Sequence, residues 1–397
     1  MTAAAVHEAN PAAELFVLER NDGLGKKVII SGGGRCNVTT GIQSVQTVLT
    51  KYPRGAKFLT KAMRVFPPTA VYEWFESHGV PLKTEEDLRV FPQSDNGKDI
   101  VGVFERMLDP KSVLLKTTVS GVAKVGEKFH ITTKDSAEPL VVDKLVLTTG
   151  GQAYRATGST GDGYAFAQSL GHTITKLVPS LNAFFTNETW PAELAGLSFE
   201  EARFTALRGK NPSFTGPMLF THKGVSGPAV FALSSIIAFE EYGPENPLMI
   251  TIDTVPGRSA EEMLKNMMAT IAENATSSLS NVFAMGMPKK LAVVMCHEVG
   301  VDPNIQAARA AKKDVARCAA WLKAIPLAVV ARGAGDEFVT AGGVDLKEVD
   351  PQTMESKVCP GLYFAGEILD IDGFTGGFNL QASWATGHLA GESASAE

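Results

Sequence analysis

The chain has 397 residues, enough for two or three domains with a substantial core. Its 44% hydrophobic and 20% charged residues are typical of an ordinary globular protein. The net charge of −6 argues against nucleic acid as the main partner, because phosphate binding favours a basic surface. No apolar run of about 18 residues or more is present and no signal-peptide pattern opens the chain, so we expect neither a membrane-spanning helix nor secretion.

Cysteine usage narrows the compartment and the kind of site. Cys36, Cys296, Cys318 and Cys359 lie far apart, and none belongs to a C-x-x-C pair. This spacing favours neither a structural zinc site nor a disulfide framework, and we expect no metal. A reducing, cytoplasmic location fits best.

The first elements alternate between helix and strand patterns. Residues 2–9 have the pattern of the end of a helix, and residues 14–18 (ELFVL) that of a short buried strand. Helices are predicted over 67–78 and 99–108, followed by strands at SVLLKTTV, KFHITT and KLVLTT. The last of these strands runs directly into a Gly-Gly turn. Alternation of this kind is typical of an α/β domain.

The middle of the chain differs in composition from both ends. Residues 177–256 are rich in Pro, Phe and short apolar runs, which predicts strands, and residues 257–326 have helical spacing. A strand (GLYFAG) and a helix (NLQASWATGHLAGE) then close the chain. We therefore predict an α/β domain in two parts, 1–176 and 337–397, interrupted by an insert domain over 177–336.

Glu19 ends the first predicted strand, where a dinucleotide-binding unit places the acid that holds the ribose hydroxyls. Such units carry a G-x-G-x-x-G turn roughly 20 residues earlier, and the sequence contains no such motif. Taken alone, Glu19 is equally consistent with a surface residue after a strand. The stretch LGKKVIISGGGRCN that follows can lay backbone amides along a phosphate or a ring, and a plain connector is its alternative reading.

Several blocks together resemble one family. They are GLGKKVIISGGGRCNVT, LRVFPQSD, LVLTTGGQAYRATGSTGDGYAFAQSLGHT, MLFTHKGVSGPAVFALSS, TAGGVDLKEVDPQTMESK and GLYFAGEILDIDGFTGGFNLQASWATG. Their content and order resemble the BaiN/YhiN-like flavoproteins, the aminoacetone oxidase family, over nearly the whole chain. The resemblance implies a Rossmann-type FAD-binding domain, glutathione-reductase-like, interrupted by an insert with a β-barrel-like part and a helical part.

The resemblance also implies where FAD would lie. Glu19 would bind the adenosine ribose, the backbone of Val119 would touch adenine, and the turn Thr149, Gly150 and Gly151 would pass beneath the dinucleotide. The residues that would line the flavin and its phosphates are Lys27, Ser31, Gly32, Gly33, Arg35, Cys36, Asn37, Gly366, Glu367 and Asp370. The start of the closing helix would meet the pyrimidine edge of the flavin through Gly376, Gly377, Phe378, Asn379, Leu380 and Gln381.

The placement of this last helix has a physical reason of its own. A reduced flavin carries negative charge near N1 and O2, and a helix N-terminus offers free N–H donors and a positive dipole end. Gly376 and Gly377 suit the close approach that this needs. A tight turn before an amphipathic helix is the structural alternative.

The beginning of the sequence departs from the family pattern, which opens with a strand and a glycine-rich turn. A start codon assigned too late, a truncated gene and a degenerate relative are the alternatives. A chain that truly begins at Met1 is expected to bind FAD weakly or not at all. A flavin-free scaffold is therefore a second functional hypothesis beside the enzyme.

The chemistry predicted is that of an FAD-dependent oxidoreductase acting on a small or moderately apolar carbonyl, enone or amine. Only one dinucleotide unit is evident, so NAD(P)H, if it is the donor, would visit the flavin transiently; the substrate itself is the other candidate reductant. A flavin-dependent RNA-modifying enzyme is a third and weaker hypothesis, and the oligomeric state stays open.

No catalytic residue is identified from the sequence, and three substrate-side candidates are named. His222 precedes a helix that Ser226 could cap, and Tyr154 and Arg155 follow the Gly-Gly turn. A structural loop role is the alternative for each of the three. Cys36 is expected to be a packing residue near the flavin ring, not a redox thiol.

Overall fold

The computed structural model describes residues 1–333 and 338–396, which form two compact units. Unit 1 consists of Met1–Ser180 and residues 338–396, and unit 2 of residues 181–333. Each unit has its own hydrophobic core. The boundary predicted between residues 336 and 337 lies outside the described residues.

Parallel strand pairs form the centre of unit 1. Strand β1 (Val17–Leu18) pairs with β5 (Val113–Leu114), and β9 (Leu145–Leu147) pairs with β18 (Leu362–Phe364). Among the described residues, no backbone ladder joins one pair to the other. Parallel pairs whose strands come from distant parts of the chain, with helices between them, are the α/β architecture that the sequence predicted.

Helices of unit 1 surround these strands. Their bounds are α1 (Thr2–Ala9), α2 (Lys26–Ile30), α3 (Val45–Leu49), α4 (Thr60–Val65), α5 (Pro68–Ser77), α6 (Gly97–Met107), α7 (Asp162–Ser169) and, after unit 2, α13 (Phe378–Ser395). Helix α13 is the most buried of them along its length, and glycines let α1 lie close against it. A Cβ at Gly391 would come within 2.7 Å of the Ala5 side chain. Two small residues at the crossing thus replace the larger side chains of an ordinary helix contact.

Small antiparallel sheets complete unit 1. One has the order β2 (Thr39–Thr40), β4 (Arg89–Pro92) and β3 (Leu82–Thr84), and another contains β6 (Val119–Val125), β7 (Lys128–Thr133) and β8 (Leu140–Val142). A third pairs β10 (Val178–Ser180) with β17 (Val339–Ala341). The strand predicted over SVLLKTTV is wrong as one element, because the chain turns between β5 and β6 and Lys116 adopts a positive φ of 55°.

Unit 2 is built on a closed six-stranded antiparallel barrel. Its strands, in barrel order, are β11 (Phe184–Thr186), β14 (Gly224–Ser226), β13 (Ser213–Thr221), β12 (Ser198–Ala206), β15 (Leu248–Asp253) and β16 (Ile325–Arg332). Alternate residues of β15 point inward, so Leu248, Ile250 and Ile252 are all fully buried. The predicted insert with a β-barrel-like part is confirmed. Strand β16 closes the barrel from beyond the helical segment.

Helices flank the barrel in unit 2. They are α8 (Pro228–Ile236), α9 (Ala260–Glu273), α10 (Leu279–Phe283), α11 (Lys289–Val299) and α12 (Lys312–Lys323). A capping box starts α9: Ser259 accepts a hydrogen bond from the N–H of Glu262, whose side chain accepts one from the N–H of Ser259. The helical part of the insert is confirmed by α9 to α12.

The sequence predicted neither a membrane-spanning helix nor a metal site, and the structure can be searched for both only in its described residues. No helix there is long and apolar enough to cross a membrane. No group of three or more His, Cys, Asp or Glu side chains is placed to hold a metal ion there either.

Candidate active site

The glycine-rich stretch 31–37 follows α2 as a short 3₁₀ turn over Ser31–Gly34. Gly32 and Gly33 adopt positive φ angles of 57° and 73°, which other residues rarely adopt. A Cβ at Gly32 would come within 2.9 Å of both the backbone nitrogen of Asn37 and the ring of Phe91. The stretch therefore presents backbone, not side chains, to whatever lies against it.

Asn37 links this turn to the start of α13. In the amide orientation that satisfies both groups, it accepts from the N–H of Gly377 at 2.9 Å and donates to the carbonyl of Thr39 at 3.1 Å. Gly377 has a φ of 86°, and a Cβ there would collide with the Thr39 carbonyl. Two glycine-rich motifs about 340 residues apart in the sequence are thus brought together at a helix N-terminus.

Arg35 and Cys36 follow the glycines but face other partners. The Arg35 guanidinium pairs with Glu85 at 2.7 Å and lies 3.8 Å over the ring of Phe91. The hydrogen bond that Arg35 donates to Glu85 raises the pKa of Arg35. Cys36 is fully buried, and burial raises the pKa of its thiol to about 12. A thiol that stays protonated at neutral pH agrees with a packing role.

A polar cluster joins three of the predicted cofactor residues. Lys27 forms an ion pair with Glu367 at 2.6 Å, and Glu367 also accepts from the backbone N–H of Thr340 at 2.8 Å. Gly151 lies against the same groups, since a Cβ there would come within 2.9 Å of the Glu367 carboxylate. The side chain of Glu367 is only 14% exposed. These residues come from four separate parts of the chain.

The end of β1 lies beside the loop that follows the Gly-Gly turn. Glu19 accepts from both the backbone and the side-chain nitrogens of Asn21 at 2.8 Å, and Asn21 donates to the carbonyl of Thr157 at 2.9 Å. Arg20 pairs with Asp162 of α7 at 3.3 Å. The position predicted for the ribose acid is therefore connected to the 149–162 loop.

Three buried polar atoms in this region have no partner among the described residues: Thr149 Oγ1, Tyr164 Oη and Asp370 Oδ1. Burial, followed by the charges of Glu367 and Asp370, raises the pKa of Tyr164 well above its usual range. Burial also raises the pKa of Asp370. Unsatisfied buried groups are rare in proteins and call for a partner. Together with the bare backbone of the glycine turns, they fit a large polar cofactor such as FAD.

The remaining predicted contacts differ in what their side chains do. Val119 begins β6 instead of ending the preceding strand, opposite Thr133. Gln381 is fully buried, accepts from Thr39 Oγ1 at 2.5 Å and donates to the carbonyl of Phe66 at 2.9 Å. Asn379 uses its side chain to bind the backbone of Gly373. Phe378 is 7% exposed.

The sequence analysis did not identify the charged residues that fix the loop leading into α13. Arg54 forms a bidentate ion pair with Asp372, which is fully buried. Ser180 also donates to Asp372, at 2.8 Å. The second acid of DIDG was the available signal, since a carboxylate in so apolar a stretch needs a partner.

Two of the substrate-side candidates lie in unit 1. Tyr154 adopts a left-handed conformation with a φ of 56°, rare for an aromatic residue, and its ring is 6.1 Å from that of Phe338. Arg155 is exposed and donates to Gln152 at 3.3 Å. Strained backbone of this kind tends to mark functional loops.

His222 belongs to unit 2, in the turn between β13 and β14. It is exposed and lines a surface pocket of about 410 Å³ together with Phe185 and Glu188. The predicted helix cap by Ser226 is wrong: Gly227, with a φ of 108°, is the N-cap of α8 and no side chain caps it. Proline at the first helical position has no N–H group, so one of the N–H groups that would need an acceptor at this helix start is absent.

The family follows from a comparison with known proteins. A family model described as the HI0933-like protein Rossmann domain matches residues 1–393. The chain belongs to the HI0933-like family. This confirms the family predicted from the sequence, and with it an FAD-dependent oxidoreductase built on an FAD-binding Rossmann fold.

The curated relatives of this HI0933-like chain include a bile-acid reductase and two ribosomal RNA dihydrouridine synthases. A 3-dehydro-bile acid delta(4,6)-reductase of Clostridium scindens is 31% identical over 401 residues, covering 99% of this chain and 96% of the relative. A ribosomal RNA dihydrouridine synthase of Escherichia coli is 27% identical, covering 91% and 87%. The enzyme of that name from Haemophilus influenzae is 28% identical, covering 94% and 90%.

A solved structure supports the fold alone. The E. coli quinol fumarate reductase subunit FrdA matches with a TM-score of 0.50 at 14% identity, over 99% of the HI0933-like chain and 67% of the other.

Proposed function

We propose that this chain is a flavin-dependent reductase of a carbon–carbon double bond conjugated to a carbonyl group, in a small or moderately apolar molecule. The observation that carries the proposal is the junction of Asn37 with Gly377 at the N-terminus of α13. Asn37 accepts the N–H of Gly377, and the N–H groups that follow it in the first turn of α13 would stabilise negative charge on a nearby ring. A site of this kind favours a cofactor that gains an electron pair during turnover.

The relatives support the choice of substrate class through the chemistry of their names. A delta(4,6)-reductase of a 3-dehydro steroid acts on double bonds conjugated to a ketone. Dihydrouridine is uridine whose C5–C6 double bond, conjugated to the C4 carbonyl, has been saturated. Both names therefore describe the reduction of a conjugated double bond, although the molecules that carry it differ greatly in size.

In this proposal FAD, once reduced by NAD(P)H, would supply the hydride, and the protein would bind and orient the cofactor. Glu19 would hold the adenosine ribose at the end of β1. Lys27 would bring its positive charge to the pyrophosphate, with Glu367 fixing the position of its ammonium group. Thr149 Oγ1 and Asp370 Oδ1, unpaired among the described residues, would hydrogen-bond the cofactor. Gly376 and Gly377 would let the start of α13 approach the flavin.

The remaining predicted contacts keep the roles that the resemblance implies. Val119 would touch adenine through its backbone, Gly150, Gly151 and Gly366 would pass close to the dinucleotide, and Tyr154, Arg155 and His222 are the candidates for contact with the substrate. The turn that would line the flavin and its phosphates comprises Ser31, Gly32, Gly33, Arg35, Cys36 and Asn37. NAD(P)H is proposed as a transient electron donor.

The first experiment is a visible absorption spectrum of the purified chain before and after incubation with FAD and desalting. Flavin bands that survive desalting support the proposal. A protein that stays colourless, and whose thermal unfolding is unchanged by FAD, supports the flavin-free scaffold instead.

The second experiment identifies the substrate class. Under anaerobic conditions the flavin is reduced with NADH or NADPH, and its reoxidation is followed after adding a 3-oxo-4,6-diene steroid, cyclohexenone, an aliphatic amine or a ribosomal RNA transcript. Rapid reoxidation by an enone, with a saturated product by mass spectrometry, supports the proposal. Reoxidation by the RNA alone, with a dihydrouridine product, would instead establish the RNA-modifying function that two relatives suggest.

A further inference from the structure

The 370–374 segment (DIDGF) connects β18 to the first turn of α13. Asp370, in this segment, is proposed to contact FAD. Asn379 of α13 binds the segment, because its side chain accepts from the N–H of Gly373 at 2.9 Å and donates to the carbonyl of Gly373 at 2.8 Å. A shift of this segment would therefore move both a proposed cofactor contact and the helix N-terminus that follows.

The 51–55 stretch (KYPRG) forms one wall behind the segment. Arg54 and Asp372 form a bridge through their backbones and a bidentate ion pair through their side chains. The Arg54 side chain is 16% exposed and that of Asp372 is fully buried. The N–H of Phe374 donates to the carbonyl of Lys51 at 3.0 Å, and Tyr52 donates to the carbonyl of Phe378 at 2.6 Å.

Two hydroxyl groups from a second wall complete the set of donors to the acids of the segment. Thr175 donates to Asp370 Oδ2 at 3.1 Å, and Ser180 donates to Asp372 Oδ2 at 2.8 Å. Both acids of the segment are therefore held by hydroxyl groups, while Asp370 Oδ1 has no partner among the described residues. Asp372 has the stronger attachment, because a bidentate guanidinium–carboxylate pair fixes distance and orientation together.

Close backbone approach is part of the same arrangement. A Cβ at Gly55 would come within 2.5 Å of the Ile371 side chain. A Cβ at Gly373 would come within 3.0 Å of the Tyr52 ring. Glycine at these two positions lets the two stretches lie against each other closely enough for the ion pair to form beneath the surface.

We propose that Arg54 is a positioning residue for the flavin site: its ion pair with Asp372 holds the 370–374 segment where Asp370 and the N-terminus of α13 can meet the cofactor. This inference rests on the proposed function for the identity of the cofactor. Arg54 touches neither cofactor nor substrate in it, and acts through its ion pair with Asp372. Removing one charge of this buried pair leaves the other uncompensated. Replacing the arginine by lysine keeps the charge but loses the two parallel hydrogen bonds, so the pair is sensitive even to a conservative substitution.

The test compares Arg54→Lys and Asp372→Asn with the unmodified chain. Arg54→Lys keeps the charge but loses the bidentate geometry, and Asp372→Asn keeps the shape but loses the charge. We measure dissociation constants for FAD and for ADP, which carries the adenosine and both phosphates but neither the ribityl chain nor the flavin ring. Hydrogen exchange of the flavin-free proteins, read by mass spectrometry, reports the mobility of residues 366–380. Arg208→Lys, which changes an arginine of unit 2 whose side chain is 29% exposed, is the matched control.

The expected result has three parts. The dissociation constant for FAD rises by about tenfold in both variants, a loss that one or two hydrogen bonds can cause. The constant for ADP changes less than twofold, and exchange accelerates in residues 366–380 but not elsewhere. Arg208→Lys changes none of these quantities.

Two results would overturn the inference: exchange of residues 366–380 unchanged in both variants, or FAD and ADP weakened equally together with faster exchange throughout unit 1. Failure of the proposed function has a different signature, since the unmodified chain would then bind no FAD. The exchange measurement on the flavin-free protein decides the role of Arg54 in that case.

Discussion

The two units of this chain hold their functional and structural parts together in different ways. In unit 2, barrel strands place aromatic and branched side chains such as Phe204, Phe220 and Ile250 in one fully buried core. In unit 1, the candidate site depends on individual polar pairs between distant parts of the chain, such as Lys27 with Glu367 and Arg54 with Asp372. Apolar packing tolerates some change in partner, whereas a polar pair fails when either member is altered.

This comparison predicts the largest loss of stability in the barrel. Phe204→Ala should lower the free energy of unfolding by about 3–5 kcal/mol, because it removes a fully buried ring and leaves a cavity. Phe239, in the same unit, is 39% exposed, so Phe239→Ala should cost less than about 1 kcal/mol. Urea unfolding followed by circular dichroism measures both. Equal losses would show that the barrel core is not what stabilises unit 2.

Gly377→Ala tests the start of α13. It should lower the free energy of unfolding by about 3 kcal/mol and abolish stable FAD retention. The positive φ of 86° accounts for roughly 1–2 kcal/mol, and the collision with the Thr39 carbonyl for the rest. Gly79→Ala is the matched control, since Gly79 has a φ of 82° with nothing within 4 Å of an added Cβ. If thermal unfolding and FAD titration respond alike in the two variants, the contact with Thr39 is unimportant.

Lys27→Met should weaken FAD binding by about tenfold and lower stability by about 1 kcal/mol, because it removes the partner of a carboxylate that is only 14% exposed. Lys26→Met is its neighbour-matched control. Lys26 pairs with Asp22 at the surface, where solvent screens the pair, so its replacement should change neither quantity measurably. Calorimetric titration with FAD checks the difference. A stronger effect at Lys26 would contradict the assignment of Lys27 to the site.

The smallest effect concerns pH. Burial lowers the pKa of His172, whose Nε2 lies 2.7 Å from Ser356 Oγ, so folding favours the neutral ring. The unfolded chain then binds more protons, and stability is present above the ordinary histidine pKa and declines as the pH falls below it. Melting temperatures between pH 8 and 5 should fall more steeply for the natural chain than for His172→Gln. Parallel curves would show that His172 does not contribute.

Local patterns were sufficient to predict much of the fold. The short apolar runs of residues 177–256, the helical spacing of residues 257–326 and the glycines before α13 all act over a few residues. The break between β5 and β6 was missed because a turn at Lys116 has no glycine or proline to announce it. The cap expected from Ser226 failed because Gly227 takes that position itself.

The polar attachments of the candidate site could not be predicted in the same way. Thr340 and Glu367 meet through a backbone N–H, which leaves no trace in the identity of the donor residue. Arg54 and Asp372 are about 320 residues apart, and neither has a local partner pattern. Pairs of this kind depend on tertiary placement, so a single sequence indicates only that a buried charge needs a partner.

The four tryptophans offer an optical consequence of the two cores. Trp74 and Trp384 both stack on Phe104 in unit 1, with ring centroids 5.5 and 5.9 Å from it. Trp190 and Trp321 lie 5.7 Å apart in unit 2. Each unit thus has its own pair of tryptophans in a distinct environment. Replacing the pair of one unit by phenylalanine would leave tryptophan fluorescence that reports the unfolding of the other unit alone, without any added label.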